Sequence, residues 1–165
     1  MTTRPLSVLI LCTGNSARSI LAEALLQKFG GDRFIALSAG SRPKGQVHPA
    51  ALELLRKRGF DVSGFRSKSW DEFDDSSFGG QLDFIFTVCD SAAAETCPVW
   101  PGHPMTVHWG IPDPAAVEKA GPEQRQAFET AYDQLKQRID TFLAIEDLDP
   151  SREGLRAELQ SIGRL

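Results

Sequence analysis

Residues Leu6 to Leu11, LSVLIL, form an apolar run that ends on Cys12 and passes without a spacer through TGNSA into a helical pattern starting at Arg18. A short, uninterrupted apolar run bounded by turn residues is the mark of a strand buried on both faces. A strand of that kind with a helix directly behind it is the first half of a parallel crossover, because parallel strands need a long connection that is usually helical. The chain repeats the pattern. Phe34 to Ala39 is a second strand, closed by Gly40-Ser41. Pro49 suits the first turn of a helix that turns Ala51, Leu54 and Leu55 inward and stops at Gly59. Asp83 to Val88 is a strong buried strand, and Met105 to Trp109 a weaker one. Gly121-Pro122 opens the longest helix, whose face is Phe128, Ala131, Leu135, Ile139 and Phe142.

Strands alternating with helices predict an α/β fold: a three-layer sandwich with a central parallel sheet of about four strands flanked by helices. In the first helix, Leu21, Ala24, Leu25 and Phe29 fall on one predicted face, and Gly30-Gly31 end it. Residues 63–81 read as a polar loop with Phe and Trp side chains as apolar fixings. Leu155, Leu159 and Ile162 suggest a short helix near the end. A single domain over residues 1–147 with a C-terminal extension over 148–165 is the expected division.

Composition narrows the function classes. The net charge of −4 and scattered Lys and Arg offer nothing to nucleic acid or an anionic membrane. No stretch approaches the ~20 apolar residues of a membrane span, and the first apolar run is short for a signal segment. A cytoplasmic protein is expected. Its three cysteines, Cys12, Cys89 and Cys97, are an odd set for a disulfide framework. Each is a packed small side chain or a reactive thiol. His48, His103 and His108 lack zinc-ligand spacing, so no metal is expected. His48 reads as the start of a helix, and Trp100 and Trp109 as packing residues.

The Cys12–Arg18 turn can do specific chemistry. Free backbone N–H groups at a helix N-terminus converge, and the helix dipole adds positive charge. Gly14 permits a positive φ and Asn15 tolerates one. The predicted result is a nest of donors from Thr13, Gly14, Asn15, Ser16, Ala17 and Arg18 that fits a tetrahedral oxyanion. Arg18 adds a planar fork. The same field favours a Cys12 thiolate at the base of the nest. Ligands of parallel sheets sit beyond the carboxyl ends of the strands. Cys12, Cys89 and Asp113 each follow a predicted strand, so all three are expected at one sheet edge.

CTGNSARS, together with SAGSRP, VHPAALELL, FTVCDSAAAETCPVWPG and HWGIPDPA, resembles the low-molecular-weight protein tyrosine phosphatase fold, and within it the arsenate reductases. The resemblance covers all but about the last 18 residues of the chain. It implies that Cys12 attacks the oxyanion, that Asp113, before Pro114, protonates the leaving oxygen, and that Ser19 hydrogen-bonds the thiolate. It implies arsenate as substrate and phosphate as its analogue. Reduction needs two electrons, which thiols supply by becoming a disulfide. Cys89 would attack Cys12, and Cys97 would take over the oxidation by exchange. No tightly bound cofactor is implied. An external thiol reductant is implied, either thioredoxin or glutathione with glutaredoxin. The relatives space their second and third cysteines slightly closer, and often have cysteine where this chain has Ala17. Tyrosine phosphatases of this fold follow Asp-Pro with tyrosine, whereas Ala115-Ala116 follow here. Hydrolysis of phosphate monoesters through a cysteinyl-phosphate is the alternative activity, and a non-catalytic oxyanion-binding or redox-sensing module is the third.

Overall fold

A computed structural model describes residues 4–74, 78–95 and 98–165. Four strands form one sheet in the order β2-β1-β3-β4: β1 is Leu6–Leu11, β2 Phe34–Ala39, β3 Phe84–Thr87 and β4 Met105–His108. Every pairing is parallel, with Leu9 opposite both Leu37 and Ile85, and Ile85 opposite Thr106. The helices are α1 (Arg18–Gly30), α2 (Pro49–Lys57), α3 (Asp90–Ala94), α4 (Pro122–Leu143) and α5 (Leu155–Ile162). The expected α/β architecture of a four-stranded parallel sheet flanked by helices is present. Among the described residues no helix is long and apolar enough to cross a membrane.

Sequence explains the layering. All four residues of β3 are buried, as a central strand covered on both faces requires. β2 is an edge strand, and Ile35 on it is 45% exposed. The predicted face of α4 is buried throughout. Its Phe142 ring lies 5.3 to 5.8 Å from those of Phe34, Phe84, Phe86 and Trp109, which joins α4 to the sheet. Such aromatic pairs are worth ~0.5–1.5 kcal/mol each beyond the area they bury. Trp109 stacks on Phe86 and donates its Nε1–H to Leu159 O at 2.8 Å, which joins the end of β4 to α5. Leu155, Leu159 and Ile162 of α5 are buried in the same core.

Phe29 departs from expectation. It is 43% exposed, with the ammonium groups of Lys28 and Lys136 over its ring. A helix turns 100° per residue, so Phe29 lies about 80° from Leu21. Leu26 takes the buried place on that turn instead.

The strand order places the site. From β1 the chain crosses outward to β2, then returns past β1 to β3. The switch point between β1 and β3 is therefore where a crevice opens beyond the strand ends, and Cys12 and Cys89 follow those two strands.

Candidate active site

Residues 12–17 turn from the end of β1 into the N-terminus of α1. The chain leaving β2 holds this turn from outside. Arg42 N–H donates to Thr13 O at 3.0 Å, Lys44 N–H to Gly14 O at 3.0 Å, and His48 N–H to Ser16 O at 2.8 Å. The Ser67 hydroxyl also donates to Gly14 O, at 3.1 Å. The carbonyls are thus satisfied on the outer side. Among the described residues no acceptor takes the backbone N–H of Gly14, Asn15, Ser16 or Ala17. Ala17, before α1, gives no side-chain cap, so the orphan donors of the helix end remain available to an anion.

The left-handed residue of the turn is Asn15, with φ of +43°; Gly14 is not in that region. Asn15 is fully buried and bonded on both ends of its amide. Its Nδ2 donates to Ser19 Oγ at 2.8 Å and Ser38 Oγ at 3.0 Å, and its Oδ1 accepts Lys68 N–H at 2.9 Å. These bonds offset the cost of a non-glycine residue at positive φ. The glycine the turn needs is Gly40, at the end of β2. A Cβ there would lie 2.3 Å from Thr13 O and 2.5 Å from Cys12 O. Behind Asn15, Lys68 Nζ donates to Arg66 O at 3.0 Å and lies 3.9 Å from Glu23 Oε1. Burial lowers the Lys68 pKa and raises that of Glu23.

The turn faces a cleft of about 210 Å³ lined by Cys12 to Arg18, Arg42, Lys44, Asp113 and Ala115. Arg18 Nη1 donates to Ile111 O at 3.1 Å, and Nη2 lies 3.6 Å from Asp113 Oδ2. Arg18 Nε is buried and has no acceptor among the described residues, which leaves an oriented donor for an oxyanion. Asp113 Oδ1 accepts Ala115 N–H at 3.0 Å, so this residue both caps a short 3₁₀ turn and faces Arg18.

Cys12 and Cys89 are both buried and unbridged. The Cys89 sulfur accepts Thr13 N–H at 3.3 Å and Ala92 N–H at 3.4 Å, and it lies near enough to Cys12 for each sulfur to shift the other's proton affinity. With Cys12 first among these causes, Cys89 is pulled down to about 5 against the effect of its burial. Cys12 is pushed up, first by its interaction with Cys89 and then by burial, while Arg18 pulls the other way. For Cys12 this is the opposite direction to that expected from the turn alone. A second sulfur with better donors competes for the charge, and the two thiols titrate as one pair.

The structure therefore brings Cys12, Arg18, Cys89 and Asp113 together at one sheet edge. Ser19 is buried beneath them, with its Oγ engaged by Asn15 rather than by Cys12. Cys97 lies outside the described residues. Sequence reasoning missed Arg42 and Lys44, although the basic pair after Gly40 was a usable signal. It also missed Glu95, Lys68 and His108. His108 Nδ1 meets Thr87 Oγ1 at 2.7 Å and its Nε2 meets Asp90 Oδ1 at 2.8 Å, so it joins β4 to the first turn of α3.

A strand-ending cysteine, an arginine six positions further along the same turn and a facing Asp-Pro define the phosphate-loop class of thiol enzymes. The chain belongs to the low molecular weight phosphotyrosine protein phosphatase family, whose sequence model matches residues 7–159. It is 36% identical over 135 residues to an arsenate reductase of Halalkalibacterium halodurans, covering 82% of this chain and 93% of that one. Its fold matches an arsenate reductase in the phosphate-binding state, with a TM-score of 0.68, 24% identity, and coverage of 84% of this chain and 97% of that one. It also matches a thioredoxin-dependent arsenate reductase of Corynebacterium glutamicum, with a TM-score of 0.59, 27% identity, and coverage of 82% and 61% respectively.

Proposed function

We propose that this chain is an enzyme that reduces arsenate to arsenite, with Cys12 as nucleophile and Cys89 as the thiol that resolves its arsenic adduct. The observation that carries the reading is the buried, unbridged pair of thiols at the Cys12–Arg18 turn, where the N–H of Thr13, the residue after Cys12, donates to the Cys89 sulfur at 3.3 Å. Ester hydrolysis needs one thiol and water. Reduction needs a second thiol within reach of the first, and relatives 33 to 38% identical to this chain are named arsenate reductases.

The backbone N–H groups and Arg18 hold the arsenate oxygens, as they would those of phosphate. As Cys12 attacks, its proton passes to Cys89. The free proton of Ser19, whose oxygen already accepts from Asn15, can then stabilise the Cys12 thiolate. A sulfur–arsenic bond forms, and one oxygen leaves as water with a proton from Asp113. Cys89 passes that proton to an arsenic-bound oxygen, and its thiolate then attacks the Cys12 sulfur. A sulfur–sulfur bond forms, the sulfur–arsenic pair of electrons stays on arsenic, and arsenite departs. Cys97 completes the relay by attacking Cys89, which forms a Cys89–Cys97 disulfide and frees Cys12. An external dithiol of the thioredoxin type, or glutathione with glutaredoxin, restores the thiols. A cytoplasmic setting is part of the proposal, because the thiols must return to the reduced state between turnovers.

Ala115 lines the cleft where a tyrosine phosphatase of this fold has an aromatic ring, which suits a small inorganic oxyanion. A second reading, phosphate monoester hydrolysis through a cysteinyl-phosphate, draws on the Cys12–Arg18–Asp113 geometry, which serves that reaction equally. The deciding experiment treats fully reduced protein with a stoichiometric pulse of arsenate, without reductant, followed by intact and peptide mass spectrometry. Loss of two hydrogens with a Cys12–Cys89 or Cys89–Cys97 link supports the relay. Three free thiols, as in a phosphate control, reject it.

A further inference from the structure

The carboxylate of Glu95 ties together three segments that are remote in sequence. Glu95 directly follows α3, and its N–H returns to Ala92 O. Its Oε1 accepts the Thr13 hydroxyl at 2.9 Å, and its Oε2 accepts the Ser41 hydroxyl. Thr13 belongs to the oxyanion turn, Ser41 to the exit of β2, and Glu95 to the stretch that leads from Cys89 toward Cys97.

Proton counting gives this arrangement a consequence. A carboxylate only accepts, and a hydroxyl has one proton to give. The Thr13 proton goes to Glu95, so the Thr13 oxygen turns its lone pairs toward Cys89 Sγ, 3.7 Å away. Cys89 keeps its backbone donors but has no hydroxyl donor from Thr13. In the relay, Cys97, eight residues after Cys89, reaches it by α3 unwinding or looping out, because a disulfide needs Cα atoms within ~7 Å. Glu95 holds the far end of α3 against the oxyanion turn.

We propose that Glu95 is a positioning residue for the relay thiol: it pins the segment after Cys89 to the oxyanion turn and withholds the Thr13 hydroxyl from Cys89 until that segment lets go. The proposal rests on the reading of Cys89 as the thiol that attacks Cys12. Release frees the Thr13 proton for the Cys89 thiolate and frees α3 to unwind in the same movement.

Two measurements test it. The first is a thiolate absorbance titration at ~240 nm in a Cys97→Ser background, where Cys12 and Cys89 are the only thiols. Glu95→Ala removes a carboxylate and restores a donor, and both changes favour the thiolate. The first thiolate step is expected to move down by about one pH unit. Glu95→Gln removes only the charge and is expected to move it by less; it serves as the readout if the alanine variant fails to fold. Cys12, which acts on Cys89, Asp90, next to it in sequence, and His108, which meets Asp90, are unchanged in these variants. The second measurement is a timed acid quench after an arsenate pulse in the protein with all three cysteines. Glu95→Ala is expected to form the Cys89–Cys97 link several-fold faster than the parent. An unchanged titration, an upward shift, or an unchanged rate of link formation overturns the proposal. Failure of the underlying relay is distinguishable, because the parent protein would then form no link at all while the titration remained readable.

Discussion

The backbone N–H of Thr13 donates to the sulfur of Cys89 at 3.3 Å. Thr13 is the residue next to Cys12, so the peptide that follows the proposed nucleophile also solvates the second thiol. One sulfur cannot gain charge without the other being affected. Cys89 is the first cause of the raised Cys12 pKa. Replacing Cys89 with Ala is therefore expected to lower the Cys12 pKa, because Arg18 and the turn then act without a competitor. Thiolate absorbance against pH in a Cys97→Ser background reads this directly. The same substitution is expected to cut arsenite release by roughly 10³-fold or more, while aryl phosphate hydrolysis persists.

The intact pair gives a distinct pH signature. With Cys89 held at about 5 and Cys12 pushed up, one thiolate is expected to appear through pH 5. The signal then stays flat to about pH 8, where an ordinary thiol begins to ionise. A single step near the ordinary thiol value, counting two sulfurs, would show that the pair is not coupled.

Gly40 tests how closely β2 must approach the oxyanion turn. The contacts a Cβ would make are with backbone oxygens of Thr13 and Cys12, which cannot swing aside like a long side chain. Gly40→Ala is expected to cost about 1–3 kcal/mol of stability. Phosphate affinity is expected to weaken at least tenfold, because displacing the turn misaligns its N–H groups. Urea unfolding and calorimetric titration with phosphate check the two effects separately.

Asp83 lies at the opposite end of the sheet and tests acid stability. Burial works against its charge, but the fork of Arg4, at 2.7 and 2.5 Å, and the Ser7 N–H, at 2.8 Å, bring its pKa below the ordinary value. A depressed carboxylate stabilises the fold above its unfolded pKa of ~3.9, and that contribution is lost as pH falls through the folded value. Arg4 is half exposed, which moderates the pair. Asp83→Asn is expected to cost about 1–2 kcal/mol at pH 7. Its difference from the parent should shrink as pH drops below about 4. Urea unfolding at pH 7 and pH 3.5 provides the check; a gap that widens in acid would contradict the sign.

Much of this protein is legible from local pattern. β1, β2 and the buried face of α4 follow from runs and spacings of apolar residues, because burial on two faces or one stripe leaves a direct trace in sequence. The oxyanion turn is legible for a similar reason. The function proposed for it depends mainly on backbone groups, and a strand, a small turn and a helix in succession specify where those point. Arg42 and Lys44 left only a basic pair after Gly40, and Glu95 left no trace. They sit on connecting segments whose course is set by what they pack against, and nothing local says that Ser41 and Glu95 meet across 54 positions.

The sequence by itself therefore determined the parallel α/β architecture, the oxyanion turn with Cys12 and Arg18, and the sheet edge shared with Cys89 and Asp113. The tertiary structure alone decided which backbone donors reach the Cys89 sulfur, which glycine lets β2 approach, and which carboxylate closes over Thr13. The physical reason is range. Periodicity and turn chemistry act over a few residues, whereas a thiol pKa or a close backbone contact depends on groups that only the finished fold brings within a few ångströms.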